Sequence, residues 1–206
     1  MAEVAAIILA AGRSSRYREA GGLEPTKLLA LLDGEPLVRR VAQAAVASRA
    51  RPVIVVVGHE SERVAKALEG LPLQIVFNEA FASGMASSLK AGIAAAPPDA
   101  AGALILLGDM PLVTARLLDA VIAGFAQSPG TLAALPTFNG RRGNPVLLSR
   151  EFFAAAKRLS GDEGARGLLA SLPEGAVAEV AVNDEAAIID IDTPQAMEAA
   201  KGVLRP

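Results

Sequence analysis

The sequence predicts a single three-layer α/β domain, a mostly parallel sheet covered by helices, and three observations carry that expectation. Apolar residues fill 52% of the 206 positions while aromatics fill only 3%, so the core must be built from Ala, Leu, Val and Ile, which suits parallel strands under helices. The short runs at 4–9, 52–57 and 103–107 are apolar without polar alternation, the mark of strands buried on both faces. Helical segments separate them in the order β, α, β, α, β that right-handed crossovers produce. A chain of this length forms one domain burying roughly 70% of its unfolded surface. With no composition break, repeat or linker, the whole of 1–206 reads as that domain.

Composition also bounds function. Cysteine is absent, which removes disulfides and thiolate chemistry and, with no charged-then-apolar leader at Met1, leads us to expect a soluble cytoplasmic protein. No apolar run approaches the roughly 18 residues that cross a bilayer. A net charge of −2 with few aromatics argues against general nucleic-acid binding.

The first strand, 4–9, empties into Ala10, Ala11 and Gly12, small residues that let a ligand approach the backbone. Arg13, Arg16, Arg18 and Lys27 follow, enough cations to surround one anion. The loop has neither Walker nor dinucleotide glycine spacing, so a phosphate site and a solvated basic turn both remain open on spacing alone. The run at 28–32 and the Asp33-Gly34 turn lead to Pro36, well suited to the first turn of a helix over 37–50. A buried strand at 52–57 closes at Gly58, a helix covers 61–68, and a third strand covers 73–77. His59, the only histidine, reads as a surface or supporting residue. Asn78 follows the third strand, and Gly84 to Leu89 opens a helix running to about Ala95. Its N–H donors offer a ligand site, unless Ser83 simply caps it.

The fourth strand, 103–107, ends in Gly108-Asp109-Met110-Pro111, and a carboxylate at the carboxyl end of a central strand stands where open α/β sheets hold ligands. Thr114 is the expected cap of the next helix. A strand follows at 131–135, then a turn, Asn139 to Pro145, with Asn-Gly as a hairpin signal, leading into 146–148. A helix is expected over 149–159. After it, Gly161-Asp162-x-Gly164-Ala165-Arg166 offers either a second anion site or an Asp162 to Arg166 ion pair, before a short helix to about Ser171. A strand covers 177–182. Asp190 and Asp192, one residue apart, point the same way on an extended segment, which suits metal binding or capping before Pro194 and a last helix through Leu204.

Together, Leu9-Ala10-Ala11-Gly12-x-Ser14-x-Arg16, Lys27, Gly108-Asp109-Met110-Pro111, Gly161-Asp162-x-Gly164-Ala165-Arg166 and Asp190-Ile191-Asp192-Thr193-Pro194 resemble the MobA-like NTP transferases, within them most closely the molybdenum cofactor cytidylyltransferases. The resemblance covers nearly the whole chain. It implies a Rossmann-like nucleotidyltransferase domain with a mixed, mostly parallel sheet that uses Mg²⁺ and a nucleoside triphosphate. On that likeness Leu9, Ala10, Ala11, Gly12, Arg13 and Ser14 bind nucleotide together with Asn78, Gly84 and Ser87. Arg16, Lys27 and Asp109 are catalytic, Asp109 and Asp190 hold the metal with Asp192 as a structural residue, and Asn144, Asp162 and Arg166 face the acceptor.

Leu-Ala-Ala-Gly is associated with cytosine in such proteins and Leu-Ala-Gly-Gly with guanine, so Ala11 favours CTP over GTP. Its methyl fills space beside a pyrimidine and would crowd a purine. Two departures stand out: a longer insert between Tyr17 and Thr26 before Lys27, with Arg18 as an alternative cation, and Gly-Asn-Pro at 143–145 where many relatives have Gly-His-Pro. The implied reaction moves CMP to the phosphate of molybdopterin, with a molybdoenzyme or its chaperone as a further partner. The rivals are GTP-dependent guanylylation, transfer to a sugar phosphate, and a non-catalytic nucleotide-binding accessory in molybdoenzyme maturation.

Overall fold

The computed structural model describes residues 3–170 and 172–204; the side chains of Arg166 and of 202–204 fall outside it, as does the expected helix end at Ser171. In chain order the elements are β1 (Val4–Ala10), α1 (Ser15–Glu19), β2 (Leu31–Leu32), β3 (Glu35–Pro36), α2 (Leu37–Ala47), β4 (Val53–Val57), α3 (Ser61–Ala67), β5 (Gln74–Phe77), α4 (Met85–Ala95) and β6 (Gly102–Leu107). Then come α5 (Ala115–Gln127), β7 (Ala133–Phe138), β8 (Arg141–Arg142), β9 (Val146–Ser149), α6 (Phe153–Ala156), α7 (Ala165–Leu169), β10 (Val177–Ala181) and α8 (Pro194–Leu204).

The main sheet runs β10-β7-β9-β6-β1-β4-β5, with β8 hairpinned onto β7. It is mixed and mostly parallel: β9 alone breaks the direction of the central path, pairing antiparallel with both β6 and β7. Along each central strand successive side chains fall into different cores. Ala6, Ile8, Val55, Leu104 and Leu106 meet α2, α5 and α8 on one face, while Ile7, Ile54, Val56, Ala103 and Ile105 meet α4, α6 and α7 on the other. Both faces are therefore covered, which explains the uninterrupted apolar runs. No described helix is long and apolar enough to cross a membrane.

Several local expectations shift. The basic stretch after Gly12 contains α1, entered through Ser14 at φ 52° and held by the buried ring of Tyr17. The helix expected to reach residue 50 ends at Ala47, where the Ser48 hydroxyl turns back to the Ala45 carbonyl. At 149–159 only Phe153–Ala156 is α-helical, because Ser149 completes β9 and a 3₁₀ turn follows. Ser83 does not cap α4: its hydroxyl donates to the Ala80 carbonyl, and Gly84 holds the cap position at φ 107°. Thr114 caps α5 by accepting from Leu117 N–H, and Asn139-Gly140 turns the β7–β8 hairpin.

Candidate functional site

β1 is the point where the winding reverses, with β4 and β5 added on one side and β6 on the other. Open α/β sheets leave a crevice at such a position, beyond the carboxyl ends of the strands. A cleft of about 530 Å³ opens there, with Leu9 and Leu107, paired across β1 and β6, on its floor. Ala11, Gly12, Arg13 and Ser14 form one lip; Phe81, Gly84, Met85 and Ser88 form the wall at the start of α4.

That wall is built by close backbone approaches. A methyl on Gly58 would lie 2.5 Å from Phe81 Cβ and 2.9 Å from Ala11 Cβ, so this glycine lets the two lining residues converge. A methyl on Gly84 would lie 2.3 Å from the Gly161 carbonyl carbon and oxygen; Gly161 in turn accepts from Ala86 N–H at 3.0 Å, which brings Asp162 over the cleft. The Arg13 guanidinium lies 5.7 Å from the centre of the Phe81 ring, close enough for a cation–π contact. His59 stands behind this wall, its N–H donating to the Ala11 carbonyl and its ring 6.3 Å from that of Phe81.

Asn78 is buried and its amide is committed to the protein. Its Oδ1 accepts from Ala80 N–H at 3.0 Å, which fixes the flip, and its Nδ2 then donates to Ser87 Oγ at 2.8 Å and Ser88 Oγ at 3.0 Å. The Ser87 hydroxyl turns back to the Gly84 carbonyl at 2.8 Å. Asn78 and Ser87, both expected to touch nucleotide, thus shape the wall from behind, and Ser88 is the serine that lines the cleft. Ala10 likewise turns away: strand alternation sends its side chain to the core opposite Leu9 and Ala11.

The cleft's charged end is assembled from three distant segments. The Ile191 N–H donates to the Asp109 carbonyl at 2.9 Å and the Ile191 side chain is fully buried, so Asp190 and Asp192, its neighbours on either side, both emerge beside Asp109. Lys27 Nζ lies 2.5 Å from Asp109 Oδ2 and also pairs with Asp192 Oδ1, while Arg16 Nη1 reaches Asp192 Oδ2 at 2.6 Å. Asp192 is therefore an ion-pairing residue of the site, and the cap of α8 is Thr193, which accepts from Ala196 N–H. Lys27 is seated by the preceding insert: Gly22 N–H donates to the Tyr17 carbonyl, and the fully buried Thr26 shares a 2.9 Å hydrogen bond with Ser14. Arg18 faces solvent outside the cleft, so the expected four-cation ring reduces to Arg13, Arg16 and Lys27.

These neighbours set the protonation balance. Burial pushes the Asp109 carboxyl above its ordinary range; Lys27 opposes the shift, and the nearby Asp190 and Asp192 charges add to it. Burial pulls on Lys27 in the other direction, yet the Asp109 and Asp192 carboxylates prevail and hold its ammonium above the usual lysine value. For Asp192, burial is outweighed by Lys27 and Arg16, and its carboxyl lies below the ordinary range.

Asp109 Oδ1 is buried with no hydrogen-bond partner among the described residues, an orphan acceptor that a cation would satisfy. No cluster of three His, Cys, Asp or Glu side chains forms a ready metal cage among those residues. A site for Mg²⁺ does not require one, since that ion is commonly held by one or two carboxylates plus substrate phosphates and water. Asp162 lines the cleft. Asn144 does not: it is buried beside β9, its N–H donating to the Ala187 carbonyl at 2.7 Å. The Arg166 side chain lies outside the described residues.

The model of the MobA-like NTP transferase domain matches residues 6–178. Purine catabolism protein PucB of Bacillus subtilis is 32% identical over 197 residues, covering 92% of this chain and 91% of PucB. Bifunctional protein GlmU of Leifsonia xyli is 31% identical over 137 residues, 66% of this chain, and the match spans only 27% of GlmU. Among solved structures, a nucleotidyl transferase from Methanothermobacter superposes with a TM-score of 0.84 at 25% identity, covering 98% of this chain and 97% of the other. Rv0371C of Mycobacterium tuberculosis, solved in complex with manganese, gives 0.75 at 26% identity, covering 97% and 98%.

Proposed function

This chain belongs to the MobA-like NTP transferase domain family, and from that premise we propose that it transfers CMP from CTP to the phosphate of molybdopterin or the molybdenum cofactor, releasing pyrophosphate. The observation that carries the reading is the switch-point cleft in which Arg16 and Lys27 meet Asp109, Asp190 and Asp192 beside a lip that includes Ala11. In it the triphosphate lies along Gly12, Arg13 and Ser14 with Arg16 and Lys27 as its counter-charges. The base faces Leu9, Ala11, Gly84 and Ser88. The acceptor approaches past Asp162.

Asp109 and Asp190 would hold a divalent cation, which we propose is Mg²⁺; the orphaned Asp109 oxygen fits that role, and Asp190 pairs with no described side chain. A bound divalent ion supplies charge stabilisation at the transferring phosphate. The chain's own residues do the rest by positioning and by meeting developing charge. An oxygen of the acceptor phosphate attacks the α-phosphorus, a new P–O bond forms, and the bond to the β-phosphate oxygen breaks as its electrons leave on pyrophosphate. Such a nucleophile is already anionic and needs no strong base, which suits a cleft lined without histidine.

The test is pyrophosphate release with each of four nucleoside triphosphates against molybdopterin and against sugar phosphates. CTP with molybdopterin is expected to give the highest rate. A preference for GTP or for a sugar phosphate would replace the acceptor or base assignment, and CTP binding without pyrophosphate release would make the protein a nucleotide-binding accessory.

A further inference from the structure

Asp109 offers a cation two oxygens, and neither is open. Oδ1 is unpartnered but buried, and Oδ2 is taken by the Lys27 ammonium at 2.5 Å. Lys27 cannot move aside without cost while the site is empty of ligand, because it also holds Asp192, itself tied to Arg16. The result is a chain of alternating charge, Asp109–Lys27–Asp192–Arg16, in which the groups suited to phosphate and those suited to a metal ion neutralise each other.

We infer that Lys27 is an internal stand-in cation that closes the metal site, and that a divalent ion gains Asp109 only when nucleotide phosphates draw Lys27 and Arg16 away. This deepens the nucleotidyltransferase reading and rests on it. In the exchange two cations pass from carboxylates to phosphates, and the released Asp109, with Asp190 beside it, receives the ion. Metal and nucleotide then bind with positive coupling, each raising the affinity for the other by the same factor. Lys27 suits the task because its ammonium rides on a flexible four-carbon stem and acts as a point charge, whereas a guanidinium fork would lock onto the carboxylates.

The experiment measures Mn²⁺ binding by electron paramagnetic resonance, with no nucleotide and with CTP, for the wild type, Lys27→Met and Lys27→Gln at about pH 8, where carboxylates are ionised. Circular dichroism identifies which variant folds as the wild type does, and that variant decides. Without nucleotide it should bind Mn²⁺ at least about fivefold more tightly than the wild type, and the gain on adding CTP should shrink by a comparable factor. A folded variant whose Mn²⁺ affinity without nucleotide matches or falls below the wild type overturns the inference. The parent reading fails differently: wild type would then show no CTP-dependent Mn²⁺ binding and no pyrophosphate release.

Discussion

Replacing Ala11 by glycine tests the proposed choice of base at the residue that carries it. Ala11 is only 4% exposed, and it lines the cleft where Gly58 allows Phe81 to close in. Loss of the buried methyl costs about 0.8 kcal/mol, and the freer glycine backbone adds roughly 0.5–1 kcal/mol. A destabilisation of about 1.5 kcal/mol in a chain of this size lowers Tm by roughly 3–6 °C. Against a purine the effect should have the opposite sign, because the removed methyl is the one proposed to crowd the larger ring. One methyl in a binding pocket is worth roughly 1–3 kcal/mol, so kcat/KM for GTP should rise by about 10–200-fold while that for CTP falls modestly. The assay is the ratio of CTP to GTP specificity constants in both proteins at fixed Mg²⁺ and acceptor, with a melting curve beside it. An unchanged ratio despite the expected drop in Tm, or a wild type that already prefers GTP, would show that Ala11 does not select the base.

Asp109→Asn should fold normally by circular dichroism but lose on the order of 100-fold or more in turnover at limiting Mg²⁺, since a neutral amide is a poor partner for both Lys27 and a divalent ion; wild-type rates there would remove Asp109 from the mechanism. Arg16→Ala should lower kcat more than it raises KM for nucleotide and leave Tm nearly unchanged, because the side chain is 79% exposed; a rise in KM alone would make Arg16 a ground-state binding residue. Gly84→Ala should cost about 2–4 kcal/mol, from a clash at 2.3 Å with Gly161 and a left-handed φ, and weaken CTP binding as the Asp162 loop is displaced; a Tm within a degree of wild type would contradict that packing. Asp192 has a depressed pKa, so its ion pairs stabilise the fold above its ordinary 3.8 and that stability is lost as pH falls through the lower folded value. The Tm gap between wild type and Asp192→Asn should therefore be open at neutral pH and close on acidification, and a gap independent of pH would refute the assignment.

The parts of the fold visible in the sequence are those decided by local composition. β1, β4 and β6 are buried on both faces, and nothing but an unbroken apolar run fits there. Thr114 and Asn139-Gly140 act through bonds and angles spanning a few residues, so their roles could be read directly. The insertion of β9 between β6 and β7 could not, because strand partners far apart in the chain leave no mark on local pattern. In the candidate site the same division holds. Asp109 stands out as a carboxylate at a strand end and Arg16 and Lys27 as cations following β1, whereas Ala11 is singled out by the family resemblance. Choosing Ser88 over Ser87, or seeing that Ala10 faces the core, requires knowing the rotation of α4 and the pleat of β1. Asp192 had a plausible local role before Pro194, and only the tie between Ile191 and Asp109 reveals its partners.

That tie also bears on the order in which the protein is made. Arg16 and Asp192 are 176 residues apart, and the contact that unites them closes nearly the whole chain into one loop. Synthesis at about 5–20 residues per second leaves roughly ten seconds or more between the making of Arg16 and that of Asp192, with Asp109 made about halfway. In that interval Arg16 lacks the carboxylate it pairs with and Lys27 has at most one of its two, so the basic loop exists before the site it belongs to is complete. The site would be completed only when the segment that carries Asp190 to Asp192 joins the sheet edge already built around Asp109.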